Sequence, residues 1–473
     1  MVFSSTIFIF LFLPIVLCLH SVLKDQYRNL FLLFASLFFY AWGEQILVLL
    51  MIGSVCLNYI VGNLIEFYQR QGREKVAKWV LGSGVAINLL ILGYYKYIHF
   101  LVEILTDLGF TINADLSGIT LPIGISFFTF QGISYLIDVH RKTVESQKSL
   151  INLGMYISLF PQLIAGPIVR YADITKEIES RKITTDLFKE GISRFIIGLS
   201  KKIFIANNVG LIADLVFAIP ANDLPTSLTW IGILCYTLQI YYDFSGYSDM
   251  AIGLGKMFGF NFKENFEHPY CSKSVREFWR RWHISLSSWF RDYLYIPLGG
   301  NRKGNYRTYI NLILVFFATG LWHGASWNFI VWGFFHGFFL IAEKITPFQL
   351  PAKLQFLKRV YLLFVVMIGW VFFRAENLTY ALDYMAKMFS FVGGEMSDNS
   401  PFESLDVWKY IAIGLGILFS IPLRQFIEEK IKTFTGNSAW FVLFKELLYL
   451  LVFVCAIIEL AQATYNPFIY FRF

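Results

Sequence analysis

Charge is what this sequence has least of. Asp, Glu, Lys and Arg make up 15% of its 473 residues, where soluble domains carry about 25%. Hydrophobic residues account for 56% and the mean hydropathy is +0.56. That balance excludes an ordinary soluble enzyme and points to a polytopic membrane protein. Cysteine is sparse as well: Cys18, Cys56, Cys235, Cys271 and Cys455 are odd in number, mostly lie in apolar runs and show no paired spacing, so neither a disulfide framework nor a zinc site is read from them. There is no glycine-rich phosphate loop. The first apolar run, Ile7 to Leu19, lacks a basic leading stretch and a small-residue cleavage site, and reads as a span that stays rather than a removable leader. The net charge of +7 implies no nucleic-acid partner, because in such a chain the placement of Lys and Arg carries the information: they mark cytoplasmic loops.

Apolar segments of spanning length lie near 5–23, 29–43, 46–66, 79–106, 120–139, 228–244, 356–373, 408–424 and 440–460. The loop 68–78 sets Arg70, Arg73, Lys75 and Lys78 against Glu74 and reads as cytoplasmic, as does 298–307. Segments 108–119 and 393–406 carry acids without Lys or Arg and read as external, as do both ends of the chain. One region breaks simple counting. Segment 140–148 reads as cytoplasmic and 220–227 as external, yet two apolar runs separate them. Parity is kept if 149–169, with Pro161, Gly166 and Pro167, enters the membrane and returns. Irregular backbone at that depth is tolerated where it is buried in protein or lines a water-filled cavity.

Between Tyr270 and Arg307 the bases Lys273, Arg276, Arg280, Arg281, Arg291, Arg302, Lys303 and Arg307 face only Glu277 and Asp292. Phe278, Trp279, Trp282, Trp289, Phe290, Tyr293 and Tyr295 interleave with them, giving amphipathic pieces too polar to span and suited to the cytoplasmic interface. Two readings stand: an anchor with snorkelling arginines, or a basic, aromatic mouth that takes the phosphates and adenine of a coenzyme. His283, in Arg280-Arg281-Trp282-His283, fits the anchor less well, because a weakly basic imidazole adds little attraction to lipid.

Upstream, Asp243 and Asp249 fall at the end of an expected span. Paired acids can serve general acid–base chemistry, but the reading favoured here is that they neutralise the nearby arginines. Downstream, Thr319-Gly320-Leu321-Trp322-His323-Gly324-Ala325-Ser326-Trp327-Asn328 forms a polar knot between two apolar runs, 309–321 and 329–341. Polar groups inside a bilayer are costly and tend to be kept where they line a cavity or act, and the flanking glycines imply close packing or a bend. On residues alone, His323 is either a functional group or a packing histidine bonded to a carbonyl. Gly124, Gln131 and Asp138 are candidates to line the same cavity.

The stretches 121–141 (LPIGISFFTFQGISYLIDVHR), 160–170 (FPQLIAGPIVR), 241–260, 278–302 (FWRRWHISLSSWFRDYLYIPLGGNR), 320–333 (GLWHGASWNFIVWG) and 466–473 (NPFIYFRF) together resemble the membrane-bound O-acyltransferase family, in particular its bacterial branch of alginate-type O-acetyltransferase membrane subunits. By that resemblance His323 matches the family's invariant histidine and His283 a second histidine of this branch, also found in the teichoic acid D-alanylation protein. Trp322 and Asn328 are then expected beside His323. The fold implied is an all-α polytopic membrane protein, a bundle of roughly 11–12 spans with re-entrant segments around a central tunnel. It would form one domain over 1–473 with its core motifs in 121–343.

The resemblance implies an enzyme of the bacterial inner (cytoplasmic) membrane, surrounded by lipid, that passes acetyl groups from cytoplasmic acetyl-CoA towards an extracytoplasmic polysaccharide such as alginate. No permanently bound cofactor and no metal are expected. The expected partner is an extracytoplasmic O-acetyltransferase of the SGNH or alginate-modification type. The tunnel residues would be Trp322, Asn328, Arg280, Arg281, Trp282, Arg291, Asp243 and Asp249, with His323 and His283 catalytic. The depth is plausible: the stretch from Arg307 to His323 is about 24 Å long as helix at about 1.5 Å per residue, against a hydrocarbon core of about 30 Å. D-alanyl transfer to teichoic acid and O-acetylation of peptidoglycan are the alternatives. A transporter without chemistry would call for internal repeats, and none is visible.

Overall fold

The computed structural model describes residues 1–112, 115–164, 166–346, 350–390, 406–423, 439–462 and 465–469. The expected loop 393–406 and the motif residues 470–473 lie almost wholly or wholly outside them. Regular structure among the described residues is all helical, α-helix with short 3₁₀ and π segments and no strand. A chain this apolar has little choice. In lipid each backbone N–H and C=O must find its partner within the segment, and a helix does that locally.

Helical stretches long and apolar enough to cross a membrane run over Asp25–Arg70, Glu74–Asp107, Thr185–Phe217 and Phe356–Arg374, with shorter apolar helices at Phe8–Val22 and Val407–Phe419. Asp25–Arg70 is a pair of helices, Asp25–Glu44 and Val48–Arg70, separated at Gln45, whose φ is +46°. The chain is a multi-pass membrane protein. It folds as two compact units, 1–195 with 250–263, and 196–249 with 264–473.

In the first unit the segment expected to enter and return is a broken helix. Leu150–Ser158 has 9 residues, about 14 Å at about 1.5 Å per residue, too short to cross. At Leu159 ψ swings to 112°, and Phe160–Leu163 begins with Pro161 near its start. The exposed backbone is met locally: Phe160 N–H donates to Ser36 Oγ at 3.1 Å, Tyr156 Oη donates to Val169 O at 3.0 Å, and the Gln162 amide donates to Tyr156 O. Ser158 Oγ donates to Gly154 O at 2.7 Å. These residues are buried.

The helix Thr226–Met257 corrects one expectation. At 32 residues it runs on past Asp243 and Asp249 rather than ending at them. The physical reason lies on the preceding helix, where Lys201 and Lys202 sit in a π-helical stretch, Lys201–Ala206. Lys201 Nζ is 2.7 Å from Asp249 and Lys202 Nζ 2.6 Å from Asp243. Paired charges can stay inside a helical bundle where unpaired ones cannot. Lysines thus pair with both acids, where the arginines of 276–291 were expected.

Candidate active site

In the second unit, helix Gly304–His323 turns through Gly324 to Ser326 into helix Trp327–Ile345. Two glycines let these helices meet backbone to backbone. A Cβ on Gly320 would lie 2.4 Å from Phe329 O, and one on Gly333 would lie 2.3 Å from Phe316 O. His323 is thereby fixed as the last residue of its helix, 5% exposed, in an aromatic setting. Its ring centroid lies 4.9 Å from Trp322, 5.1 Å from Trp332 and 5.0 Å from Phe373, all edge-on. At a helix C-terminus the backbone dipole presents its negative end to the charge that an imidazole gains on taking a proton.

Basic-region residues 275–295 form short pieces, Val275–Arg281, Ile284–Phe290 and Arg291–Tyr295. His283 is the joint between the first two, fully buried, with φ +44° and ψ 54°. A left-handed conformation costs a non-glycine residue about 1–2 kcal/mol, so something must hold it. Asn265 does. Its main-chain oxygen accepts from Ile284 N–H at 2.9 Å, and its Oδ1 accepts from Ser285 N–H at 3.1 Å and from Ser285 Oγ at 2.9 Å. The same Oδ1 lies 3.2 Å from His283 Nδ1, while Asn265 Nδ2 donates to Ser248 Oγ at 3.1 Å. Because a backbone N–H can only donate, the amide atom facing it is oxygen, and a neutral His283 with its proton on Nδ1 satisfies that oxygen, while Ser285 Oγ stands 3.4 Å from the same nitrogen. His283 Nε2 is then the lone-pair nitrogen, and it has no hydrogen-bond partner among the described residues.

Both histidines contact one indole. Trp322 lies 4.9 Å from His323 and 5.8 Å from His283, centroid to centroid. Phe244 covers His283 edge-on at 4.6 Å. Phe244 also lines, with Ile240, Trp282, His323, Trp370, Phe373 and Ile469, a cavity of about 10 Å³, room for about one water molecule.

The other candidates divide. Trp282 belongs to the cavity wall, 5.0 Å from Trp370. Asn328 donates to Ala375 O at 2.8 Å, which ties the start of its helix to the end of Phe356–Arg374. Arg280 and Arg291 are exposed, Arg291 in a two-pronged pair with Asp292 at 2.7 and 3.0 Å, and half-buried Arg281 pairs with Glu277 at 2.9 Å. None of these three lines the cavity. Gly124, Gln131 and Asp138 belong to the first unit and are not among its lining residues. Sequence reading missed Asn265, which sits in a short loop with no periodicity, and Lys202, whose charge inside an apolar helix was a readable signal for a buried acid.

The chain belongs to the membrane-bound O-acyltransferase family, whose model matches residues 141–382. It is an O-acyltransferase. Among similar proteins, the probable alginate O-acetylase AlgI of Pseudomonas putida is 42% identical over the whole of both chains. The peptidoglycan O-acetyltransferase of Helicobacter pylori is 35% identical over 82% of this chain and 80% of its own. The teichoic acid D-alanyltransferase of Bacillus subtilis is 32% identical over 45% of this chain and 56% of its own.

Proposed function

We propose that this enzyme takes acetyl groups from acetyl-CoA at the cytoplasmic face of a bacterial inner membrane and delivers them for O-acetylation of an extracytoplasmic polysaccharide of the alginate type. The observation that carries the reading is the contact of both His323 and His283 with Trp322, with His323 in the cavity wall. Full-length identity to an alginate O-acetylase favours acetyl over D-alanyl transfer, for which the matched relatives cover 45% and 60% of this chain. The Helicobacter relative keeps peptidoglycan as a second acceptor class.

In this mechanism an acceptor hydroxyl attacks the thioester carbonyl while His323 takes the hydroxyl proton. The tetrahedral intermediate collapses, the carbon–sulfur bond breaks, and the coenzyme leaves as a thiol after receiving that proton. A positioned general base contributes about 10²–10⁴ in rate. The aromatic wall excludes bulk water, which limits hydrolysis of the thioester. His283, with its lone pair on Nε2, serves as a second acceptor, and the exposed basic face of Arg280, Arg281 and Arg291 receives the coenzyme phosphates. An extracytoplasmic O-acetyltransferase of the SGNH or alginate-modification type would carry the acetyl group to the sugar.

The test is His323→Gln, which keeps hydrogen-bonding capacity without basicity. Polymer acetylation in cells should fall about 10²-fold or more at unchanged membrane abundance. Acetylation at the wild-type level by a well-inserted His323→Gln chain removes the base assignment.

A further inference from the structure

The buried ion pair Lys202–Asp243 does more than neutralise itself. Lys202 Nζ also donates to Pro467 O, and Asp243 Oδ2 accepts from Ile469 N–H at 2.8 Å. The two members of one ion pair thus grip a carbonyl and an amide two residues apart on the segment Tyr465–Ile469. Side chains reinforce the grip: Phe468 stacks on Tyr247 with centroids 4.4 Å apart, and Lys202 Nζ lies 6.0 Å from the Phe468 centroid. Tyr465 Oη donates to Asp214 at 2.5 Å, and Asp214 is itself paired with Arg374 at 2.6 Å. The gripped segment ends at Ile469, which is 4% exposed and stands in the same cavity wall as His323.

We propose that Lys202 and Asp243 are positioning residues of the active site, a clasp that holds the segment Tyr465–Ile469 in place so that Ile469 closes the cavity beside His323. The chemistry is specific to this pair and orientation. A lysine at 1% exposure and an aspartate at 2% need each other, and each has hydrogen-bonding capacity left over. The segment offers one acceptor where the lysine has a spare donor and one donor where the carboxylate has a spare lone pair. Pro467 has no N–H, so at this register its carbonyl is the group it can offer. Asp243 therefore acts through the wall of the site and needs no contact with the acyl group. The proposal rests on the acyltransferase reading of the cavity.

The experiment removes the grip without leaving a lone buried charge. Lys202→Met combined with Asp243→Leu replaces the pair by apolar side chains of similar volume, a change that buried ion pairs often tolerate. In the full-length protein, hydrogen exchange of the 465–469 backbone should quicken. Polymer acetylation should fall about 10²-fold, the scale of loss for a misplacement of about 1 Å in a reacting site, with membrane abundance unchanged. Truncation after Thr464 is the second arm. It leaves the ion pair intact, and the truncated chain should insert normally and lose acetylation to the same degree. Unchanged exchange in the double variant, or wild-type acetylation by either variant, overturns the clasp. His323→Gln separates the two ideas: it should lose acetylation with slow exchange of 465–469, so an active His323→Gln chain sinks the base assignment while leaving the clasp to its own exchange measurement.

Discussion

Replacing Asn265 by Ala should silence the enzyme without touching either histidine. Its Oδ1 receives Ser285 N–H, Ser285 Oγ and His283 Nδ1–H, and the residue is fully buried. Deletion leaves two of these donors, the backbone N–H and the ring N–H, without their acceptor. A buried donor left unsatisfied costs about 1–3 kcal/mol, so the exposure is about 2–6 kcal/mol unless the loop relaxes. Relaxation is the easier route, since His283 already stores about 1–2 kcal/mol in its left-handed backbone and loses what holds it there. The ring then shifts. A displacement of about 1 Å costs about 10²-fold in rate, or about 2.7 kcal/mol of barrier at 1.36 kcal/mol per tenfold. Asn265→Asp keeps an acceptor for Ser285 N–H but sets a carboxylate beside His283, which favours the doubly protonated ring and removes the Nε2 lone pair. It should restore membrane abundance better than it restores acetylation. The assay is polymer acetylation in cells normalised to the amount of inserted enzyme. Wild-type acetylation by Asn265→Ala would refute the role given to Asn265 and the tautomer argued for His283.

Arg280, Arg281 and Arg291 replaced by Gln should raise the apparent KM for acetyl-CoA with little change in turnover at saturating donor, because they lie outside the cavity wall. Abundance should hold, since the pairs they lose, with Glu277 and Asp292, are surface pairs worth about 0–1 kcal/mol. An unchanged KM would leave these arginines as interfacial anchors only. Gly320→Ala should lower thermal stability by about 1–3 kcal/mol, the usual cost of overpacking, because its new methyl would sit 2.4 Å from Phe329 O. Gly82→Ala, where a Cβ meets nothing within 4 Å, is the control, and equal melting behaviour of the two in detergent would count against the close helix contact.

Several parts of this protein were legible from residue order alone. Long apolar runs broken by basic and acidic loops can be satisfied only by helices in lipid, so the helical, multi-pass class followed from composition. Pro161, Gly166 and Pro167 marked 149–169 as irregular backbone, and a helix break falls within it at Leu159. His323 stood out because it sits on a polar break between two apolar runs, and His283 because a weakly basic imidazole adds little to an interfacial anchor. Partners were another matter. The sequence pointed Asp243 and Asp249 at the arginines nearest in number, whereas the fold gives them Lys201 and Lys202, some forty residues earlier on a neighbouring helix. Asn328 was expected beside His323 by resemblance, and the partner its amide takes, Ala375 O, lies 47 residues away.

The sequence by itself determined the solvent: an apolar chain with scarce charge belongs in lipid, and local hydrogen bonding makes it helical there. It also determined where polarity interrupts that solvent, at 283 and at 319–328. Only the tertiary structure decided which distant residues meet those interruptions: Trp322 in contact with both histidines, Asn265 against His283 Nδ1, and Lys202 with Asp243 gripping the segment that carries Ile469. The reason is one of range. Hydropathy and helix periodicity act over a few residues, while a buried donor takes whichever acceptor packing delivers, and packing joins positions more than 200 residues apart, as it does for Asp243 and Ile469.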